Sequence, residues 1–117
     1  QIIHISGDDQ VLSNLYENAQ AFIFPSLYEG FGLPIIEAMS YHCPVLLSSI
    51  DVFKEIAENS ACYFEPNSPE SIKDAIEKLV YSESKKNDLK NKGFELIKKF
   101  TWESCSKKTL KIYNKII

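Results

Sequence analysis

Residues 22–48, FIFPSLYEGFGLPIIEAMSYHCPVLLS, run as strand, glycine loop, helix and strand. Phe22, Ile23 and Phe24 are a short apolar run stopped by Pro25 and Ser26, the pattern of a buried strand that ends in a loop. In Glu29-Gly30-Phe31-Gly32 two residues lack Cβ, so backbone amides there can come close to a ligand. Pro34 falls at the first helical position, where its missing N–H does no harm. Ile35, Ile36, Ala38 and Met39 fill the helix, and residues 44–47 make the next strand. A glycine loop that feeds a helix N-terminus at the carboxyl end of a strand predicts an anion site in a parallel α/β sheet.

Two carboxylates make this more than a generic anion site. Glu29 precedes the glycines and Glu37 lies in the helix, with seven residues between them. A carboxylate beside bound phosphate would repel it, so these acids need another task. Carboxylate oxygens accept hydrogen bonds from hydroxyls, and a pair of oxygens can bridge a vicinal diol. A ligand with phosphate in the middle and hydroxyl-rich rings at either end fits both demands. That is a nucleotide sugar.

The run E-G-F-G-L-P-I-I-E-A-M, preceded by F-P-S and followed by P-V-L, resembles the E-x7-E motif of retaining GT-B glycosyltransferases, the glycosyl transferase group 1 family. In that family the region belongs to the C-terminal, donor-binding, Rossmann-like domain. The resemblance implies that Glu29, the candidate catalytic residue, contacts hydroxyls of the donor sugar and that Glu37 holds the ribose. It implies that amides around Gly30, Phe31, Gly32, Leu33 and Pro34 meet sugar and pyrophosphate. It also brings Gly7, in the loop after the first apolar run, near the nucleobase. The competing reading is an ordinary βαβ turn whose glutamates are solvated at a helix start, where the helix dipole favours them.

The chain has 117 residues, enough for one domain with its own core. Hydrophobic content of 44% and charge of 25% are ordinary for a globular chain. A net charge of −3 without a basic block argues against a nucleic-acid partner. Lys85, Lys86, Lys98, Lys99, Lys107 and Lys108 cluster late, but acids sit among them; a solvated helical surface is the plainer reading, with contact to anionic lipid the sharper one. Cys43, Cys62 and Cys105 are odd in number and widely spaced, which fits reduced, mostly buried thiols in the cytoplasm rather than disulfides or a zinc site. No apolar run approaches the ~18 residues of a membrane span, and no secretory leader is read.

Outward from the central stretch, residues 1–6 (QIIHIS) predict another strand, buried on at least one face, with His4 packed or at its rim. Asp8 or Asp9 is expected to cap a helix in which Val11, Leu12, Leu15, Tyr16 and Ala19 face a core. Asp8-Asp9 lacks the D-x-D spacing that holds a metal–diphosphate in the other main glycosyltransferase architecture, so no metal is expected. Beyond Ser48, a short helix over residues 52–57 and a strand over 61–64 follow, and Ser48 and Ser49 read as turn formers ahead of ligand contacts. Ser68 caps a helix with Pro69 in its first position and a stripe of Ile72, Ala75, Ile76, Leu79 and Val80. From residue 83 to 117 terminal helices are expected. Leu89, Gly93, Leu96, Ile97 and Phe100 share one face, and Thr101 caps the last helix. Phe100-Thr101-Trp102-Glu103 resembles the F-[ST]-W-E that opens the family's final helix; there it packs partly onto a second domain, so Ile112, Ile116 and Ile117 are expected in solvent.

The alternation predicts an α/β, Rossmann-like, mostly parallel sheet of about four strands (1–6, 21–25, 44–48, 61–64) with helices on both faces, in one partial domain over 1–117. The resemblance implies a domain lacking two βα units at its N-terminal side, and a retaining enzyme that uses a UDP- or GDP-sugar without a metal. The acceptor, a glycan or lipid-linked glycan, would be held by a further N-terminal domain. It further implies a cytoplasmic enzyme, at the inner face of the membrane where peripheral association applies. Two other classes compete: a nucleotide-binding module without catalysis, and a glycoside hydrolase, whose two carboxylates would flank a glycosidic bond and leave the glycine loop without purpose.

Overall fold

Three short apolar runs pair side by side into a parallel sheet in the computed structural model, which describes all residues 1–117. They are β1 (Phe22–Phe24), β2 (Val45–Ser48) and β3 (Ala61–Phe64), in the order β1-β2-β3. Phe22 stands opposite Val45, and Leu46 opposite Cys62. Parallel strands need crossovers, and helices supply them: α2 (Leu33–Ser40) joins β1 to β2 and α3 (Asp51–Ala57) joins β2 to β3. Helix α1 (Asp9–Asn18) precedes the sheet; α4 (Pro69–Val80), α5 (Glu83–Leu96) and α6 (Trp102–Ile116) follow it.

Alternation along β2 sets the two layers. Val45 and Leu47 pack with Ile35, Ala38, Met39, Phe53 and Ala57 on one face. Leu46 turns to the other face and meets Cys62, Phe64, Ala75, Leu79 and Leu89. All four β2 residues are buried, as expected of a central parallel strand covered on both sides. Side chains cap the helices as expected: Asp8 Oδ1 accepts from the amides of Gln10 and Val11, each at 3.1 Å, and Ser68 Oγ accepts from the Ser71 amide at 3.2 Å.

Four expectations need correction. Residues 1–6 form no strand, and Ile2, Ile3 and Ile5 are exposed. A strand exists through its neighbour's hydrogen bonds, and no strand of this chain lies beside that segment. For the same reason β1 is an edge, with Phe22 and Phe24 half-buried and Ile23 exposed. In α1 only Tyr16 is buried, while Val11, Leu12 and Leu15 face outward, because no sheet lies under their side of the helix. The face running from Leu89 to Phe100 is also not one helix. It stops at Leu96, tightens into a 3₁₀ turn over Ile97–Lys99, and breaks at Phe100.

Candidate functional site: the glycine loop and its two acids

Parallel strands bring their carboxyl ends to one edge of the sheet, where the turn after β1 lies. The chain leaves Phe24 irregular and re-enters regular structure at Leu33. Its two glycines do different work. Gly32 has φ +104, and a Cβ there would lie 3.0 Å from both Ile35 Cδ1 and Phe53 Cε1. Left-handed backbone and contact with the core both demand glycine. A Cβ on Gly30 would meet nothing within 4 Å, so that side of the loop opens to solvent.

Gly32 is also the N-cap of α2, and it has no side chain to satisfy the first amides. Pro34 occupies the second helical position rather than the first, again where an N–H has no partner. The Ile35 amide folds back onto the Gly32 carbonyl at 2.9 Å. The amides of Gly30, Phe31, Gly32 and Leu33 donate to no other protein group. Four successive donors without a partner at a helix start, with the dipole's positive end behind them, are a place for an anion.

Glu29, partly buried at the head of the loop, accepts a hydrogen bond from Ser26 Oγ at 2.8 Å. That bond ties the carboxylate to the end of β1 and leaves its second oxygen unused. Glu37 is exposed, in the second turn of α2. Nearby, the Tyr16 hydroxyl is held above its ordinary value, first by burial and then by the Glu37 carboxylate and the Cys43 sulfur. Tyr16 of α1 thus feels the charge of the second acid, a relation no motif in the sequence announces. It packs edge-on to Phe22 and stacks on Tyr41.

Loop and acids lie on open surface. One cleft, of about 400 Å³, is walled by Glu58, Asn59, Asn91, Lys92, Glu95 and Lys99. Another, of about 300 Å³, is walled by Ile5, Gly7, Asp8, Val11, Leu12 and Leu15. The loop borders neither. Gly7 therefore belongs to a different groove from Glu29 and Glu37, and its missing Cβ has a local cause: a methyl there would collide with Val11 Cβ at 2.7 Å. Ser48 is fully buried and donates to the Phe24 carbonyl at 3.4 Å, a tie between strands. No three His, Cys, Asp or Glu side chains gather as metal ligands, and no helix is long and apolar enough to cross a membrane.

Known proteins resemble this chain in sequence and in fold. The family described as glycosyl transferases group 1 matches residues 1–96. O-antigen chain mannosyltransferase B of Escherichia coli is 35% identical over 105 residues, which cover 90% of this chain and 28% of that protein. O-antigen chain mannosyltransferase RfbU of Salmonella typhimurium is 44% identical over 68 residues, covering 58% and 19%. Sucrose-phosphate synthase from Thermosynechococcus elongatus has the same α/β fold, with a TM-score of 0.80 at 27% identity, covering 93% of this chain and 28% of that one. The chain thus spans less than a third of the length of each of these relatives. Matched along residues 1–96, glycine loop and both acids included, the chain belongs to the glycosyl transferases group 1 family.

Proposed function

We propose that this domain holds the donor of a retaining glycosyltransferase, a nucleoside-diphosphate sugar. The observation that carries this reading is the run of free amides from Gly30 to Leu33, set between two carboxylates. The amides and the α2 dipole receive the diphosphate and stabilise its charge as it departs, in place of a metal. Glu37 accepts from the ribose hydroxyls. Glu29, fixed by Ser26, accepts from hydroxyls of the sugar beside the bond that breaks, and is the catalytic residue of the chain. Both acids bind and orient; neither exchanges a proton with the reacting bond. Two relatives named as mannosyltransferases favour mannose as the sugar, carried on UDP or GDP. The acceptor is a glycan or lipid-linked glycan, and the enzyme works in the cytoplasm, at the inner face of the membrane. Gly7, in the groove lined by Ile5, Asp8 and Leu12, faces the nucleobase in this reading.

Titration of the chain with GDP, UDP, GDP-mannose and UDP-glucose, followed by amide chemical shifts, tests this. Shifts are expected at Gly30–Leu33 and Ile35–Glu37. Glu37→Ala should weaken every nucleotide, whereas Glu29→Ala should weaken the nucleotide sugar and spare the bare nucleotide. A hydrolase would show neither dependence on nucleotide. Shifts elsewhere, indifferent to both substitutions, would refute the donor site.

A further inference from the structure

Tyr16 is the one buried residue of α1, on the side of that helix which the core covers. Its ring stands edge-on to Phe22 of β1, with centroids 5.4 Å apart at 83°, and lies nearly parallel to Tyr41 at 6.0 Å and 18°. Tyr41 closes α2 four residues after Glu37, and residues four apart share a helix face. Strand and helix thus hold the Tyr16 ring against the face of α2 that carries the second acid. A phenylalanine would fill that place equally well; what tyrosine adds is a hydroxyl, and a buried phenol ordinarily finds a polar partner. Two candidates stand nearby, Glu37 and Cys43. The Cys43 thiol is turned to the Pro44 carbonyl, at 3.7 Å. Glu37 is the partner left, and after burial its carboxylate is the foremost group that holds the phenolic proton in place, through its charge and as an acceptor.

Glu37 has no other restraint. Its side chain is exposed, and none of the six ion pairs of the chain includes it. A glutamate in that position on a helix exchanges among rotamers, and it loses that freedom when it binds. We propose that the Tyr16 hydroxyl donates to the Glu37 carboxylate and holds it in one orientation, which makes Tyr16 a positioning residue for the nucleotide. One donated bond occupies a single acceptor site of the carboxylate and leaves the others for a diol. The role of Glu37 toward ribose rests on the function proposed above, whereas the orientation of its side chain is measurable without any nucleotide.

In the ligand-free chain, the three-bond couplings about χ1 of Glu37 should report one rotamer, and averaged values in Tyr16→Phe. Phenylalanine keeps the ring between Phe22 and Tyr41, so the urea midpoint should hardly move while the couplings change. Averaged couplings in the native chain, or identical couplings in the two proteins, overturn the proposal. A lower midpoint with unchanged couplings would make Tyr16 a packing residue, and overturns it too. Titrated with GDP or UDP, Tyr16→Phe should bind roughly three- to tenfold more weakly than the native chain. The same substitution should have no further effect once Glu37 is alanine. A full further loss in that background would mean that Tyr16 does not act through Glu37, which also overturns the proposal. If neither nucleotide moves the amides of the loop and α2, the donor site fails, and the ligand-free couplings decide the Tyr16–Glu37 bond by themselves.

Discussion

A methyl group on the α-carbon of Gly93 in α5 would stand 3.0 Å from Cγ and 3.4 Å from Sδ of Met39 in α2. The two helices touch through the absence of a side chain. Alanine at 93 gains about 1 kcal/mol in helix propensity over glycine, and methionine is flexible enough to yield a few tenths of an ångström. Gly93→Ala is therefore expected to change stability by less than about 1 kcal/mol. Gly93→Val cannot be absorbed that way and should cost roughly 2–3 kcal/mol in urea unfolding. An equal effect of both would mean that the helices are not in contact at this point.

Two residues with side chains hold left-handed backbone: His42 at φ 53 and Glu58 at φ 47. Glycine at either should relieve roughly 1–2 kcal/mol of steric cost. They differ in what glycine removes. Glu58 loses an exposed pair with Lys99 at 3.1 Å, which contributes little. His42 loses a ring stack on Phe94 with centroids 4.0 Å apart. Thermal unfolding should therefore rise for Glu58→Gly and rise less, or not at all, for His42→Gly.

Burial pushes the Cys43 thiol from 9.0 up to about 11, and burial with the Glu58 carboxylate pushes Tyr63 from 10.0 up to about 12. Each folded-state group keeps its proton after the unfolded chain has lost it. The unfolded state then binds fewer protons, so stability falls as pH rises. The contribution is fully present below pH 9.0 and is lost through about 11 for the thiol, then through about 12 for the phenol. Denaturant unfolding under reducing conditions should show that decline, on the order of 2 kcal/mol for the thiol. In Cys43→Ser the first part of the slope should disappear. An unchanged slope would remove Cys43 as its source.

Lys86 is 5% exposed, its amine held by Gln20 Oε1 at 2.8 Å and by Glu83. The pair Lys86–Gln20 ties α5 to the residues just before β1. Removing the stem and leaving Gln20 without its donor should cost Lys86→Ala about 2–3 kcal/mol. Lys86→Met keeps the stem but also leaves Gln20 without its donor, and should recover only the packing part of that loss, about 1 kcal/mol. Equal losses in the two variants would assign the whole effect to the charge.

Much of the site was legible in the sequence because it is local. The apolar runs FIF and VLLS, the helix filled by LPIIEAMS and the caps at Asp8, Ser68 and Thr101 act over a few residues, and all reappear in the elements formed. The loop between β1 and α2 and the spacing of Glu29 and Glu37 follow from the same short-range rules, as does the family that the motif resembles. The last isoleucines lie in solvent as expected: Ile112 and Ile116 of α6 and Ile117 beyond it are all exposed. Legibility stopped where a residue's state depends on what lies across from it. QIIHIS has the composition of a strand yet forms none, and Val11, Leu12 and Leu15 form a stripe with nothing beneath it.

What the sequence by itself determined, then, is the order of strand, loop and helix and the two acids around the glycines, since backbone sterics and helical period need no distant partner. The tertiary structure alone decided which apolar faces are covered, that Tyr16 packs on Phe22 and Tyr41, and that Phe31 meets Phe100 across the fold. Burial and side-chain contact require a second surface, and only the folded chain brings one.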